Sequence, residues 1–422
     1  MRSSAIGFTF LIATFSFVLF AQNPTNPINL GNDANGNPLR KALRTGHISN
    51  YDEAKVARYT LPDPLVLSNG QRVRNANMWT KQRRSELIHL YENEIYGRVP
   101  ADVPKVTWEI GAVDRSWRNG MAVRKQLIAH IGSGSNERRF NVWLYTPAKA
   151  NRPSPVLLSI IFAPAARGGG PVPTGEPPVA DEILGHGWAY ATVVYTEIQA
   201  DRANAWKDGV IGLTLAPDQT EPRPDGWGSI SAWAWGISRI VDYLQTDKSV
   251  DARQIAIQGF SRLGKTVLWA AAKDERIAAV FSGCAGEMGS ALARRDWGET
   301  VDDMAQNFAW QFSGNLQKYV GRWNDMPVDA HMLIALSAPR PVFITGGTTD
   351  QRSDPKGEFL AEVAAGPVYR LLGKKDLGVT DFPAPDSPVV GGELAFNYHT
   401  GGHTLTMKEW NLFLDFLGGY FK

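Results

Sequence analysis

The stretch Ile255-Ala-Ile-Gln-Gly-Phe-Ser-Arg-Leu-Gly-Lys-Thr266 decides the fold of this 422-residue chain. It reads as a buried strand that turns sharply at Gly259 and continues as a helix. A serine two residues beyond such a strand, with glycines around it, is typical of a nucleophile elbow, which presents the hydroxyl above a sheet at a helix N-terminus. The helix dipole and free N–H groups there favour a developing oxyanion. Ser261 is therefore the predicted nucleophile, although the second glycine, Gly264, comes one place later than in G-x-S-x-G.

The flanking segments predict an α/β-hydrolase fold, a three-layer sandwich with a mostly parallel central sheet. Buried strands that alternate with helices are typical of a parallel sheet covered on both faces. Such apolar strands are predicted at 156–162, 188–195, 254–259, 277–282 and 341–345, with helices at 229–244 and 263–272. Shorter stretches at 106–110, 123–131 and 139–145 predict an antiparallel entry to the sheet, after a helix over 79–96.

The same string also matches the phosphate-binding pattern G-x-x-x-x-G-K-[ST] through Gly259, Gly264, Lys265 and Thr266. A P-loop nucleotide-binding protein is therefore the distant alternative from another class. The loop follows several strands, whereas a P-loop usually follows the first, and no later strand ends in the Asp that would hold magnesium. The nucleophile elbow is the favoured interpretation.

The N-terminus predicts export. Arg2 precedes the apolar run 5–20, and Ala21 precedes a polar segment, which is the pattern of a signal peptide over 1–21. An uncleaved anchor is the alternative. We expect residues 22–75, rich in Asn, Pro and Gly, to wrap the surface of one catalytic domain at 76–422. The mature protein is then secreted or periplasmic, without stable membrane association.

Composition limits the other function classes. The net charge is +2, and the 44 Lys and Arg are scattered rather than gathered into a run, so nothing indicates a nucleic-acid partner. Cys284 is the single cysteine, so an internal disulfide is excluded, and no Cys/His pattern or HExxH predicts a metal. We expect no cofactor and a monomeric protein.

A serine nucleophile needs a histidine base, and in this fold the base comes last in the chain. Four of the seven histidines precede Ser261, and His331 lies in an apolar helical stretch where a structural role is expected. His403 follows Gly401-Gly402, as expected of a base on a loop after the last strand, whereas His399 is expected within that strand. His403 is the predicted base.

Two carboxylates follow the strand at 341–345 and could orient the base. Asp354 precedes Pro355 and a helical segment, so capping that helix would account for it. Asp350 has no such structural role and lies nearer the strand end. Asp350 is the favoured acid, with Asp354 as the alternative.

The segment Gly259-Phe-Ser-Arg-Leu-Gly-Lys265 resembles the G-x-S-R-x-G-K motif of the glucuronoyl esterases, carbohydrate esterase family 15. The resemblance covers most of residues 80–420. It continues through the following stretches: 274–278, 294–300, 328–336, 338–341, 354–359 and 401–403. It implies hydrolysis of the ester between xylan-borne glucuronic acid, often 4-O-methylated, and lignin alcohols.

The resemblance also implies roles for individual side chains. Ser261 attacks the uronoyl carbonyl, and Arg262 helps to stabilise the oxyanion with its side chain. Lys265 and Glu299 hydrogen-bond the sugar hydroxyls. From the residues alone, Lys265 would read as a solvated helix residue and Glu299 as a surface charge.

The chain departs from the family pattern at two positions. Many members carry the acid where this sequence has Cys284; Glu287 is three residues out of register, which moves the acid role to Asp350. Many members also stack an aromatic ring on the sugar where this sequence has Arg352, which we hypothesise pairs with an anionic decoration of the polymer.

Two alternative functions remain open. The enzyme alternative is an acetyl xylan esterase or other carboxylesterase on this fold. The non-enzyme alternative is a carbohydrate-binding protein on a hydrolase fold that has lost its activity.

Overall fold

The computed structural model of the protein describes residues 27–163 and 179–421. The strands are β1 Ile28–Asn32, β2 Pro38–Lys41, β3 Val106–Asp114, β4 Ala122–Ile131, β5 Arg138–Pro147, β6 Ser154–Ile161, β7 Ala189–Val194, β8 Val250–Phe260, β9 Ala279–Gly283, β10 Val342–Gly347, β11 Val389–Val390 and β12 Leu394–His399. The α-helices are α1 Ala76–Met78, α2 Arg84–Glu94, α3 Trp117–Gly120, α4 Ala180–Gly185, α5 Tyr195–Ile198, α6 Ser229–Leu244, α7 Arg262–Lys273, α8 Val301–Asn307, α9 Ala330–Ala335, α10 Pro355–Leu371 and α11 Met407–Gly418.

In the described residues, ten strands form one sheet in the order β11-β12-β10-β9-β8-β6-β7-β5-β4-β3. The strands from β7 through β6, β8, β9 and β10 to β12 are parallel, and β3, β4 and β5 form the antiparallel entry. Because parallel strands end at the same edge, the segments that follow β8, β10 and β12 meet there.

The core lies in two layers, one on each face of this sheet. Successive strand residues alternate between them: in β9, Val280 packs in the larger cluster, whereas Ala279 and Phe281 pack in the smaller one. The larger cluster includes α6, α7, α9 and α10, and the smaller includes α4 and α11. The predicted three-layer α/β-hydrolase sandwich is therefore correct.

The predicted elements differ from the observed ones mainly at their ends. The helix predicted over 79–96 is interrupted: a π-helical turn occupies Trp79–Arg83, and the following helix ends at Glu94. The π-helical hydrogen bond from Arg84 N–H to Trp79 C=O widens the turn, and both Trp79 and Arg83 are buried there. Among the described residues, no helix has the length and apolar character needed to cross a membrane.

The segment 27–75 contacts the rest of the chain at several points. It contains the antiparallel pair β1–β2 and contributes Leu65, Leu67 and Val73 to the larger core cluster. Backbone carbonyls of the segment accept hydrogen bonds from Gly298 N–H and from the ring of His331. The predicted signal peptide, 1–21, lies outside the described residues.

Candidate active site

The turn between β8 and α7 holds Ser261 in a strained backbone conformation. Its φ is 60° and its ψ is −128°, which a non-glycine residue rarely adopts. The Ser261 N–H donates to the carbonyl of Gly283 at the end of the neighbouring strand (2.7 Å), which anchors the turn to the sheet. The serine therefore lies at the N-terminus of α7, as the elbow prediction requires.

The two glycines of the motif allow close backbone contact. A Cβ on Gly259 would lie 2.2 Å from the carbonyl oxygen of Leu263, and one on Gly264 would lie 2.9 Å from the Cβ of Ala285. Gly264 thus gives α7 room against the loop after β9. Because helix α7 begins at Arg262, three residues after Gly259, the segment is an elbow and leaves no extended loop for phosphate. The geometry offers the P-loop alternative no support.

His403 and Asp350 form a hydrogen-bonded pair at the edge where the parallel strands end. The distance between His403 Nδ1 and Asp350 Oδ2 is 2.7 Å. Asp350 is buried on the turn after β10, whereas the His403 side chain is 41% exposed on the loop after β12. The imidazole is thus held from one side by a buried carboxylate and open to the cavity that contains Ser261.

Asp354, the alternative acid, has other partners. Its Oδ1 accepts from Gly357 N–H at 2.9 Å, which caps α10, and its Oδ2 accepts from Arg295 Nε at 2.8 Å. Pro355 is the first residue of that helix. Asp354 does not line the cavity that contains Ser261. The structure thus gives Asp354 the capping role that its sequence context indicates.

Cys284 lies beside the His403–Asp350 pair, and ligand atoms of these three residues lie within 4.8 Å of one another. Among the described residues, this is the group of Cys, His and acidic side chains with spacing suited to a metal ion. Burial, together with the carboxylates of Glu358 and Asp350, raises the pKa of Cys284 well above its ordinary value. The thiol is therefore neutral, and Asp350 is already engaged by His403.

The remaining histidines of the C-terminal half have structural contacts. His399 ends β12, and its two ring nitrogens lie 3.0 Å from Thr345 Oγ1 and 3.2 Å from the carbonyl of Gly402. His331 is buried, and its Nε2 lies 2.8 Å from the carbonyl of Pro62. Burial lowers the pKa of His331.

Three predicted substrate-binding side chains lie around Ser261. Lys265 is buried one helical turn after the serine, and its ammonium donates to the carbonyl of Ala285. Burial lowers the pKa of Lys265, while the carboxylate of Glu299 acts in the opposite direction. Arg352, at the position where the resemblance implies an aromatic ring, forms an ion pair with Glu299. Glu299 therefore has a charged partner inside the protein, whereas the hydrogen-bond partner of Lys265 is a neutral carbonyl.

All of the predicted site residues except Asp354 line one cavity of about 320 Å³. Sequence reasoning missed four further lining residues: Met304, Phe308, Gln311 and Ser353. No motif spacing links the 304–311 segment to Ser261, because these residues reach the cavity from α8 and the turn after it. The aromatic residues of Phe308-Ala-Trp310 are the sequence feature that could have indicated a binding surface here.

Comparisons with known proteins identify relatives of this chain. Residues 223–373 match the family model described as glucuronyl esterase, fungi. A carbohydrate esterase from an unidentified prokaryote is 35% identical over 399 residues, which cover 87% of this chain and 91% of that protein. A 4-O-methyl-glucuronoyl methylesterase of Cerrena unicolor is 28% identical over 341 residues, covering 78% of this chain and 64% of that protein.

Solved structures extend the similarity. A glucuronoyl esterase from Solibacter usitatus is 39% identical with a TM-score of 0.79, covering 86% of this chain and 99% of that chain. A family 15 glucuronoyl esterase from Teredinibacter turnerae is 34% identical with a TM-score of 0.80, covering 88% of this chain and 92% of that one. The fold and the similarity across most of the chain lead to one conclusion: this chain belongs to the glucuronoyl esterases of carbohydrate esterase family 15 and is a carboxylic ester hydrolase.

Proposed function

We propose that this chain hydrolyses the ester between (4-O-methyl-)glucuronic acid of glucuronoxylan and lignin alcohols, through an acyl-enzyme on Ser261. The observation that carries the proposal is a single cavity lined by Ser261, by the His403–Asp350 pair and by the polar side chains of Lys265 and Glu299. A nucleophile, a base oriented by a buried acid, and hydrogen-bonding groups for a sugar are the parts that this reaction needs.

The first step forms the acyl-enzyme. Asp350 accepts a hydrogen bond from the Nδ1–H of His403, which leaves the unprotonated Nε2 free to take the proton of the Ser261 hydroxyl. As Oγ bonds to the uronoyl carbon, the carbonyl electron pair moves to oxygen. The Arg262 side chain and the backbone N–H groups at the start of α7 stabilise that oxyanion. The oxyanion then re-forms the carbonyl, the bond from the uronoyl carbon to the alcohol oxygen breaks, and the alcohol leaves with the proton from His403.

The second step releases the acid. A water molecule gives a proton to His403 Nε2 and attacks the acyl-enzyme carbonyl, which forms a second oxyanion at the same place. Its collapse expels Ser261, which recovers its proton from the imidazolium. The residues of the chain suffice for both steps, so the mechanism uses no cofactor.

Lys265 and Glu299 would set the sugar specificity. Lys265 offers a buried donor beside the nucleophile, and Glu299 offers an acceptor across the cavity. Hydroxyls of a uronic ring are suitable partners for both, whereas an acetyl group has no hydroxyl to bind either. This supports a uronoyl ester rather than an acetyl ester as the substrate. The predicted export of the chain is consistent with a plant cell-wall substrate.

The test compares hydrolysis of benzyl glucuronate and of 4-nitrophenyl acetate by the wild type and Ser261→Ala. We expect wild-type activity on the glucuronate, and a loss of at least about 10³-fold in kcat in Ser261→Ala, because the nucleophile acts together with its base. Ser116→Ala, an exposed serine after β3, is the matched control and should keep full activity.

Two other outcomes would change the proposal. Activity on the acetate alone would retain the serine hydrolase and reject the uronoyl substrate, with Arg352 as the position that altered specificity. Unchanged glucuronate hydrolysis in Ser261→Ala would reject the nucleophile.

A further inference from the structure

A buried carboxylate, Asp201, lies directly behind the arginine that follows the nucleophile. It comes shortly after α5, near the edge where the parallel strands end, and its side chain is 3% exposed. Oδ2 accepts from a guanidinium nitrogen of Arg262 and from Tyr195 Oη at 3.0 Å. Oδ1 accepts from Trp310 Nε1 at 2.8 Å and from Gln311 Nε2 at 2.7 Å.

Four donors hold the Asp201 carboxylate in one position. A buried carboxylate is costly unless it is paired and hydrogen-bonded, and here both oxygens are satisfied and a cation balances the charge. Two of the four donors, Arg262 and Gln311, belong to side chains that line the cavity with Ser261. Asp201 itself does not line that cavity, so it can act on the substrate through these neighbours.

The Arg262 guanidinium is held from other sides as well. Its central carbon lies 5.4 Å from the ring centroid of Phe308 and 6.0 Å from that of Phe162. An arginine side chain has many rotamers, and in water it would spend little time in any single one. A carboxylate on one edge and two flanking rings restrict it to one orientation, with the side chain still 30% exposed on the cavity.

We propose that Asp201 is a positioning residue for ester hydrolysis, which holds the Arg262 guanidinium at the oxyanion site; this rests on the proposed function, in which Arg262 stabilises the oxyanion. Donors that are already oriented need no rearrangement when the negative charge develops, so they lower the barrier rather than the free energy of substrate binding. Loosening Arg262 should therefore lower kcat. The same carboxylate holds Gln311 at the cavity wall, so loosening Gln311 should raise KM.

The test is a double-mutant cycle on benzyl glucuronate with Asp201→Asn, Arg262→Ala and the combination. We expect Arg262→Ala to lower kcat by about 10²-fold, as loss of an oxyanion donor does, and Asp201→Asn to lower it by about tenfold. In the Arg262→Ala background, Asp201→Asn should change kcat by less than about twofold, because two residues that act through one interaction are not additive. Asp201→Asn should still raise KM in the Arg262→Ala background, because that effect depends on Gln311 and not on Arg262.

Asp247→Asn is the matched control. Asp247 is a buried carboxylate paired with Lys125 Nζ at 2.7 Å and Ser249 Oγ at 2.6 Å, on the turn before β8, at the opposite end of that strand from Ser261. It should alter thermal stability and leave kcat unchanged. Equal losses of kcat from Asp201→Asn with and without Arg262 would overturn the proposal, as would full activity of Asp201→Asn.

Two further measurements keep the test decisive. If Asp201→Asn does not fold, Asp201→Glu keeps the charge but moves the carboxylate by one methylene group; its kcat should fall in the wild-type background and not in Arg262→Ala, and an unchanged kcat would overturn the proposal. If the wild type is inactive on the glucuronate, the proposed substrate is wrong. The cycle is then run on 4-nitrophenyl acetate, whose hydrolysis also passes through an oxyanion.

Discussion

Asp350 and Asp354 are four residues apart, but they have different partners, so replacing them should have different effects. Asp350→Asn keeps the size of the side chain but no longer stabilises the imidazolium, and it favours the wrong tautomer of His403. We expect kcat on benzyl glucuronate to fall by roughly 10³- to 10⁴-fold with little change in thermal stability. Steady-state kinetics and thermal unfolding of the purified variant measure both.

Asp354→Asn is the matched variant for that comparison. It removes one charge from the buried pair with Arg295, whose guanidinium keeps Glu53 as a second partner. We expect the free energy of unfolding to fall by about 3 kcal/mol, with kcat changed by less than about threefold. If Asp354→Asn lost activity as Asp350→Asn is expected to, Asp354 would be the acid after all.

Arg352 lies at the position where the family resemblance implies a sugar-stacking ring, and it forms an ion pair with the carboxylate of Glu299. Arg352→Trp should supply an aromatic face and free Glu299 for the sugar. We expect KM for the glucuronate to fall about fivefold, which corresponds to about 1 kcal/mol of binding free energy. Arg370 lies on α10 and forms an exposed ion pair with Asp376, so Arg370→Trp is the control. No decrease in KM would count against a sugar-binding role for position 352.

These side chains also indicate what sequence could and could not predict. Ser261, His403 and Asp350 follow from chain order and from the strand ends on which the fold places them. The pairing of Arg352 with Glu299 spans 53 residues, and Asp201 precedes Arg262 by 61. No spacing rule joins such positions, since they meet only after separate strands end at the same edge of the sheet.

At the scale of elements, the elbow depends on the absence of a side chain at Gly259. A Cβ there would meet the backbone carbonyl of Leu263 at 2.2 Å, and backbone cannot move away as a flexible side chain can. We expect Gly259→Ala to distort the turn, lower kcat at least about 100-fold by displacing Ser261, and reduce the free energy of unfolding by about 1–3 kcal/mol. Kinetics and chemical denaturation measure these effects.

Gly418 provides the control for that substitution. It is the last residue of α11, and a Cβ there would have no atom within 4 Å. Alanine favours helix over glycine by about 1 kcal/mol, so Gly418→Ala should leave kcat unchanged and slightly raise stability. Wild-type activity in Gly259→Ala would mean that the elbow tolerates a side chain and that the close approach of the Leu263 carbonyl does not require glycine.

The elements around the elbow were predictable because their patterns are strong. Helix α6 begins and ends as predicted at Ser229 and Leu244, and α7 extends the predicted helix by one residue at each end. Strand β8 extends from Val250 to Phe260, longer than the predicted 254–259, because Asp251, Arg253 and Gln254 interrupt the apolar pattern and the pairing with β6 shifts register there. The pair β1–β2 was missed because its residues are largely exposed and show no buried alternation.

At the scale of the whole molecule, buried carboxyl groups behind the active site should make stability depend on pH. Glu358, on α10, is wholly buried; its Oε1 accepts from Gly286 N–H at 2.9 Å and Ser290 Oγ at 2.6 Å. Burial, together with the carboxylates of Asp350 and Asp354, raises the pKa of Glu358 from 4.5 to about 8. Burial likewise raises the pKa of Glu362 and of Glu287 well above the ordinary value.

The sign of the effect follows from proton binding in the two states. Between pH 4.5 and about 8, Glu358 keeps its proton in the folded protein and loses it in the unfolded chain. The folded state therefore binds more protons, and the free energy of unfolding falls as pH rises through this window. Burial lowers the pKa of His331, which works in the opposite direction below pH 6.5. The contribution of Glu358 is therefore best isolated by difference.

Glu358→Gln makes that difference measurable, since the amide oxygen can still accept from Gly286 and Ser290 but the side chain no longer titrates. Urea unfolding at a series of pH values should give a wild-type curve that falls more steeply than the variant's between about pH 5 and 8, by up to about 1.4 kcal/mol per pH unit for one proton. Above about pH 8, where the carboxyl ionises in both states, the two curves should run parallel. Parallel curves throughout would mean that Glu358 titrates normally and that water reaches this carboxyl, which lies near Asp350.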